Sequence, residues 1–381
     1  MSAGFDRADH AFMARALQLA RRGRYTTFPN PRVGCVLVRD GEIVGEGWHR
    51  RAGEPHAERI ALAAAGERAH GATAYVTLEP CSHHGRTPPC ADGLIEVGVA
   101  RVVAAMEDPN PQVAGQGLAR LRNAGIRVET GLLEADARAL NPGFIRRMQG
   151  ERPWMRLKLA ASLDGRTAMA SGESQWITGP AARRDVQFLR ARSAAVLTGI
   201  GTVLADDPSL NVRLDSADLG LPSDLPVRQP LRVVLDSSAR TPPDARLLRL
   251  PGSVLICVAK GADGGRVAAL ERAGAEICRL PTDASGHPAW PAVMDALRAR
   301  EIDEVLLECG ATLAGSALQA GVVDELVLYL APQLLGDAAR GLVHLPGVER
   351  LEQRIELAMN DVRQVGEDLR LTLGLRQSGT P

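Results

Sequence analysis

Four residues carry the clearest chemistry in this chain. His56-Ala57-Glu58 is followed by Pro80-Cys81 and then by Cys90. A hydrolytic zinc site takes three protein ligands and keeps one position open for water. The imidazole of His56 and the thiolates of Cys81 and Cys90 supply three. Bound zinc lowers the pKa of its water to about 7, which makes a nucleophile available at neutral pH. A carboxylate that is not a ligand then moves protons between that water and a leaving group. Glu58 stands two residues from His56 and is placed for this work. Helix N-termini favour thiolates, and Cys81 and Cys90 both stand where helices could begin. The competing possibility is a structural zinc, which takes a fourth protein ligand; His83 or His84 would provide it.

Zinc nucleobase deaminases carry His-x-Glu together with Pro-Cys-x-x-Cys. This chain keeps the first half, but eight residues separate its cysteines. The filling is specific: Thr77-Leu78-Glu79-Pro80-Cys81-Ser82-His83-His84-Gly85-Arg86-Thr87-Pro88-Pro89-Cys90. It resembles the deaminases of riboflavin biosynthesis, where an enlarged insert is the family pattern. The same resemblance covers Asn30-Pro31-Arg32-Val33-Gly34, Gly47-Trp48-His49 and Asp108-Pro109-Asn110-Pro111. An Asn amide both donates and accepts, which suits a pyrimidine edge, although Asn-Pro is also ordinary turn chemistry. The resemblance implies a cytidine-deaminase-like three-layer α/β fold. It implies one Zn2+ per chain on His56, Cys81 and Cys90, with Glu58 catalytic. It places Asn30, His49, His83, Arg86, Asp108 and Asn110 around a small pyrimidine ribosyl phosphate.

The second half offers less to unaided chemistry. The glycines of Thr198-Gly199-Ile200-Gly201 could let a phosphate approach. They match the dinucleotide-binding fingerprint poorly, because its third glycine falls at Leu204 and no helix clearly opens there. A tight surface turn competes. The stretch 154–375 nevertheless resembles the reductase domain of the same pathway, a dihydrofolate-reductase-like α/β fold that binds NADPH without that fingerprint. The matching segments are Lys158 with Ser162-Leu163-Asp164-Gly165, then Thr198–Pro208, then Leu306-Leu307-Glu308-Cys309-Gly310, and Leu328-Tyr329-Leu330-Ala331-Pro332. The family usually has a glycine where Cys309 stands. The resemblance implies that Lys158, Arg190, Arg213 and Glu308 contact substrate. It implies that Ser174, Trp176, Thr178, Thr202, Asp206 and Gly310 contact NADPH. Lys158 has some support of its own. It is one of only two lysines, the other being Lys260, in a chain otherwise committed to arginine, and its compact ammonium is a different chemical tool from a guanidinium.

The elements must hold these groups in place. A chain of 381 residues exceeds one ordinary core, and the boundary is expected near residue 150, giving domains 1–150 and 151–381. In the first, helical spacing covers 9–22 and 56–65. Strands are expected at 33–38 and 42–48 around Asp40-Gly41, a hairpin signal, and at 72–78, 101–106 and 127–130. Short helices follow Pro89 and cover 116–124. In the second, strands are expected at 155–161, 195–199, 231–235, 254–258, 276–280, 304–308 and 325–331. Helices are expected at 181–192, 266–273, 291–300 and 313–320, with a terminal antiparallel hairpin over 355–373. Alternation of this kind makes layered α/β domains.

Composition narrows the partners. Formal net charge is zero and aromatic residues are 3%, which argues against nucleic-acid binding by bulk charge or base stacking. No apolar run is long enough to span a bilayer, and residues 1–13 lack a secretory apolar core. The expectation is a cytoplasmic enzyme with no membrane partner, six unpaired cysteines and, by resemblance, a homo-oligomeric state. Two alternatives stand beside it. One is a deaminase of another base, nucleoside or tRNA fused to an unrelated nucleotide-binding domain. The other is a regulatory nucleotide binder with structural zinc.

Overall fold

A computed structural model describes residues 4–82, 88–111 and 113–376. The chain divides into two compact units. The first comprises Met1–Glu151 with Ser216–Pro226, and the second Arg152–Asp215 with Val227–Pro381. The excursion at Ser216–Pro226 is tied into the first unit by an ion pair from Arg50 to Asp224 at 2.6 Å.

The first unit runs α1 (Arg7–Ala20), β1 (Gly34–Arg39), β2 (Glu42–Trp48), α2 (Ala57–Ala65), β3 (Thr73–Val76), α3 (Cys90–Val97), β4 (Arg101–Ala104), α4 (Gln116–Asn123), β5 (Arg127–Thr130), α5 (Glu134–Leu140) and α6 (Pro142–Met148). The sheet order is β2-β1-β3-β4-β5. β1 is antiparallel to β2 and β3, while β3, β4 and β5 are parallel. Arg39 faces Glu42, so Asp40-Gly41 forms a two-residue turn, both residues at positive φ. Asp6 and Asp9 close a reciprocal capping box at the start of α1.

Five of the six β1 residues are buried, as a strand covered on both faces requires. The covering helices sit close. A side chain on Gly34 would meet the Ala16 carbonyl of α1, whereas side chains on Gly45 and Gly47 would lie 2.3 and 2.2 Å from the Ala61 and Ala57 carbonyls of α2. Gly47 pairs with Cys35, the neighbour of Gly34. Alternation along the strand therefore puts α1 and α2 on opposite faces, giving three layers.

The second unit runs β6 (Trp154–Ser162), β7 (Arg166–Ala168), α7 (Pro180–Arg192), β8 (Ala195–Gly199), α8 (Ile200–Asp206), β9 (Leu231–Leu235), α9 (Arg246–Arg249), β10 (Val254–Ala259), α10 (Gly264–Arg272), β11 (Glu276–Leu280), α11 (Trp290–Arg298), β12 (Glu304–Glu308), α12 (Ala311–Gln319), β13 (Glu325–Ala331), β14 (Arg340–Gly341), β15 (Leu357–Val365) and β16 (Asp368–Leu375). The main sheet is ordered β11-β10-β9-β8-β12-β6-β13-β16-β15. It is parallel from β11 to β13, and the terminal hairpin adds antiparallel. After β8 the chain winds outward to β11 and then returns to insert β12 beside β8. Reversals of this kind leave a crevice at the carboxyl ends of the strands, where open α/β sheets bind ligands. Among the described residues, no helix is long and apolar enough to cross a membrane.

Three sequence expectations need correction. Among the described residues, Cys81 and Ser82 lie in no helix. The glycine turn at Gly199 does open one, α8. The helices α5 and α6 fall where none was expected.

Candidate functional site

In the first unit, α2 carries His56 and Glu58, the expected ligand and the expected proton carrier. His56 is its N-cap residue, held extended at φ −71 and ψ 163, so the imidazole stands at the helix mouth. Its Nδ1 lies 3.4 Å from Cys90 Sγ and 3.6 Å from Cys81 Sγ. The three donor atoms lie within 4.8 Å of one another. Cys90 is the first residue of α3. Cys81 reaches the same helix end from outside. Its Sγ accepts the Cys90 N–H at 3.3 Å and its carbonyl accepts that of Ala91 at 3.1 Å. Both sulfurs thus sit at the positive end of α3, which favours thiolates. Arg59 steadies this end by donating to the Pro89 carbonyl at 3.0 Å.

These donors fit zinc. One imidazole and two sulfurs converge, and among the described residues no fourth His, Cys, Asp or Glu joins the group. Three ligands with an open position are the pattern of a hydrolytic centre. Glu58 sits in the first turn of α2 and is 3% exposed. Burial pushes its carboxyl up to about 7, where it both accepts and returns a proton near neutral pH.

Asn30 and His49 stand beside the centre as a pair. The Asn30 Nδ2 and His49 Nε2 are 3.0 Å apart, and His49 Nδ1 is 3.2 Å from the Pro55 carbonyl. A carbonyl accepts only, so Nδ1 carries the proton and Nε2 accepts from Asn30. Burial lowers the His49 pKa, which keeps the ring neutral. The ring meets His56 edge-on with centroids 5.3 Å apart. Asp108 and Asn110 lie on the loop after β4, where the Asn110 N–H donates to Asp108 Oδ1 at 2.9 Å. His83 and Arg86 lie outside the described residues, as does His84.

Glu79 was not anticipated. It is buried, and its carboxylate accepts the backbone N–H groups of Asp108, Gly115, Gly117 and Leu118. Its one signal in the sequence is a charge set between Leu78 and Pro80, directly before a ligand.

In the second unit, one cleft of about 1520 Å³ is lined by all ten residues expected there: Lys158, Ser174, Trp176, Thr178, Arg190, Thr202, Asp206, Arg213, Glu308 and Gly310. Lys158 on β6 is in register with Glu308 at the end of β12. Arg190 of α7 grips Glu308 through two N–H groups, at 2.6 and 2.9 Å, and donates to the Asn211 carbonyl at 3.2 Å. Burial works against the Glu308 charge, but Arg190, together with Lys158 and Arg213, outweighs it and holds the carboxyl below its ordinary range. Burial pushes the Lys158 ammonium down, and Glu308 beside it pushes back. The floor of the cleft is therefore a largely enclosed charge cluster in which Lys158 and Arg190, with Arg213 nearby, face the one carboxylate of Glu308.

The cleft rim fits a phosphate-bearing cofactor. Both α8 and α12 begin at residues of the cleft, and neither N-cap, Gly199 or Gly310, has a capping side chain. Uncapped helix N-termini present free amides to anions. Ser174, Trp176 and Thr178 line another wall. Trp176 is 68% exposed, with the Arg183 guanidinium 4.5 Å from its ring centroid. Sequence reasoning missed Arg183, which lies one helical turn into α7 with nothing but a Gly-Pro start to mark it.

Fold and geometry together define a zinc-centred deaminase unit joined to a reductase unit. Residues 6–106 match the cytidine and deoxycytidylate deaminase zinc-binding region, and residues 153–371 match the RibD C-terminal domain. The riboflavin biosynthesis protein RibD of Escherichia coli (strain K12) is 56% identical over 370 residues, covering 96% of this chain and 99% of that protein. A solved structure of Acinetobacter baumannii RibD is 46% identical with a TM-score of 0.87, covering 97% of this chain and 99% of that one. A diaminohydroxyphosphoribosylaminopyrimidine deaminase/5-amino-6-(5-phosphoribosylamino)uracil reductase from Thermotoga maritima is 32% identical with a TM-score of 0.83, at 97% and 99% coverage. The chain belongs to the RibD family of riboflavin biosynthesis proteins. Both fold expectations, cytidine-deaminase-like and then dihydrofolate-reductase-like, hold.

Proposed function

We propose that this chain performs two consecutive steps of riboflavin biosynthesis. The first is hydrolytic deamination of 2,5-diamino-6-(ribosylamino)-4(3H)-pyrimidinone 5′-phosphate. The second is reduction of its ribosyl group by NADPH, giving 5-amino-6-(ribitylamino)uracil 5′-phosphate. The observation that carries it is the convergence of His56, Cys81 and Cys90 with buried Glu58 one turn away, in a chain whose family match runs through both units. That double match disfavours a deaminase fused to an unrelated domain.

When bound, zinc supplies a polarised water at neutral pH. Glu58 takes a proton from the attacking water and returns one to the leaving amine of C2. Asn30 faces the pyrimidine edge, with its amide oriented by His49. Asp108 and Asn110 hold the substrate from the opposite loop, and His83 and Arg86 reach its phosphate. When bound, NADPH supplies hydride to C1′ of the opened ribosyl imine. Lys158, Arg190, Arg213 and Glu308 orient the substrate's polar groups. Ser174, Trp176, Thr178, Thr202, Asp206 and Gly310 hold the cofactor. The enzyme acts in the cytoplasm as a homo-oligomer, a state that sedimentation at several protein concentrations checks.

The test is direct. Zinc-loaded protein given the diamino substrate should release one ammonia and then consume one NADPH per molecule. Ammonia from cytidine, guanine or tRNA, with none from this substrate, would overturn the assignment.

A further inference from the structure

We infer that Glu79 is a positioning residue for deamination, fixing the Asp108–Asn110 loop relative to the ligand Cys81. The inference rests on the deaminase reading and on the substrate role given above to that loop. Oε2 accepts the N–H of Asp108 at 3.0 Å and of Gly115 at 2.9 Å. Oε1 accepts those of Gly117 at 2.8 Å and Leu118 at 3.3 Å. One carboxylate thus gathers both ends of the loop and the first turn of α4. The carboxylate is in turn joined to Cys81 through Pro80 alone, whose ring fixes the intervening backbone angle.

The fit leaves no slack. A side chain on Gly117 would lie 2.0 Å from the Pro80 carbonyl, so α4 rests on the ligand-bearing segment itself. The brace continues outward. Asp108, held through its own N–H, accepts the Asn110 N–H at 2.9 Å, and the Asn110 carbonyl accepts Val113 and Ala114 at 3.0 and 2.9 Å. The loop geometry is therefore set from Glu79, two residues from a ligand, and not by the loop alone. A buried carboxylate suits the task because four N–H groups need acceptors only. Glutamine keeps one accepting oxygen and turns an NH2 toward two of the donors, leaving buried groups unmatched.

Glu79→Gln in the full zinc-loaded chain tests this. Zinc per chain and the NADPH-oxidation rate should stay near parental. The deaminase KM should rise by about tenfold or more, with kcat changed much less, as expected for lost substrate placement. In an Asn110→Ala background the same substitution should add less than about twofold, because both changes act through one loop. Hydrogen exchange at the Asp108, Gly115, Gly117 and Leu118 amides should accelerate. An unchanged KM with zinc retained would overturn the inference. Zinc loss on substitution, or full multiplication of the effects in the double variant, would also overturn it. If Glu79→Gln does not fold, Glu79→Asp, too short to reach both pairs of amides, is read the same way. Should the parent release no ammonia, the deaminase reading fails, and the exchange measurement still decides whether Glu79 braces the loop.

Discussion

In the first unit three donor atoms lie within 4.8 Å of one another, and Glu58, the proposed proton carrier, is buried in the first turn of α2. In the second, the functional groups surround a cleft of about 1520 Å³ and the strongest charges already satisfy each other. The difference follows from where the chemistry resides. Hydrolysis needs a nucleophile and a proton carrier placed by the chain, so ligands and acid sit on two helix ends. Hydride transfer resides in the cofactor, so the chain supplies a long rim of amides and side chains and a charged floor.

The sharpest way to break this comparison is at Glu58. Glu58→Gln should lower ammonia release by about a thousandfold, within the range for lost proton transfer. NADPH reduction of the deaminated intermediate should continue at the parental rate. Metal chelation should separate the activities in the same way. Equal loss of both would mean that the two sites are not independent.

Next in size is the floor of the second cleft. Arg190→Met leaves the largely enclosed Glu308 with only Lys158 and Arg213 as neighbouring cations. Removing one partner of a buried pair typically costs about 3 kcal/mol or more. The urea midpoint of the second unit should fall, while deaminase activity persists at denaturant concentrations that abolish reduction. An unchanged midpoint would show that Lys158 and Arg213 suffice as counter-ions.

The first unit has a buried ion network too, but remote from its site. The Asp9 carboxylate is held at about 2 by the hydrogen bond from Arg101, which also binds Glu129. A depressed carboxyl contributes stability above its unfolded pKa near 4 and loses it as pH falls toward the folded value. The first unit should therefore lose about 2 kcal/mol between pH 4 and 2. In Asp9→Asn that slope should flatten, at a lower stability near neutrality. Acid titration of unfolding, with hydrogen exchange at the core amides of the first unit as the readout, measures both.

The smallest effect concerns the cleft wall. Trp176→Ala should raise the cofactor KM by roughly fivefold, in keeping with the loss of an exposed aromatic platform and its cation partner. It should also remove most of any tryptophan quenching on cofactor binding. No change in either would remove Trp176 from the cofactor wall.

Much of this architecture was legible beforehand. The strands 195–199, 231–235, 276–280, 304–308 and 325–331 coincide with β8, β9, β11, β12 and β13, because short, mostly apolar stretches between polar turns leave a parallel strand few other choices. The α5–α6 pair was not legible. Its junction residue, Asn141, directs its side chain to the backbone of Arg32, accepting its N–H at 2.8 Å and donating to its carbonyl at 3.0 Å, so no local cap announces α6. α8 was missed because Gly201 interrupts it and Gly199 brings no capping side chain. In the sites, ligand chemistry singled out His56, Cys81 and Cys90, which converge, with Glu58 beside them in the sequence. The cleft residues came from family likeness, since paired charges such as Arg190 and Glu308 stand far apart in the sequence. Glu79 escaped because its partners are amides, which have no residue type to read.

The bare contact between β2 and α2 has a bearing on how this enzyme could change over generations. Gly47 lies against the Ala57 carbonyl, between the ligand His56 and the acid Glu58. One methyl group there would act like a shim under the helix. It would lift imidazole and carboxyl together as a single piece while both sulfurs, gathered at the N-terminus of α3, stayed where they are. The position is thus a dimensional tolerance of the metal centre, set by a residue with no side chain of its own.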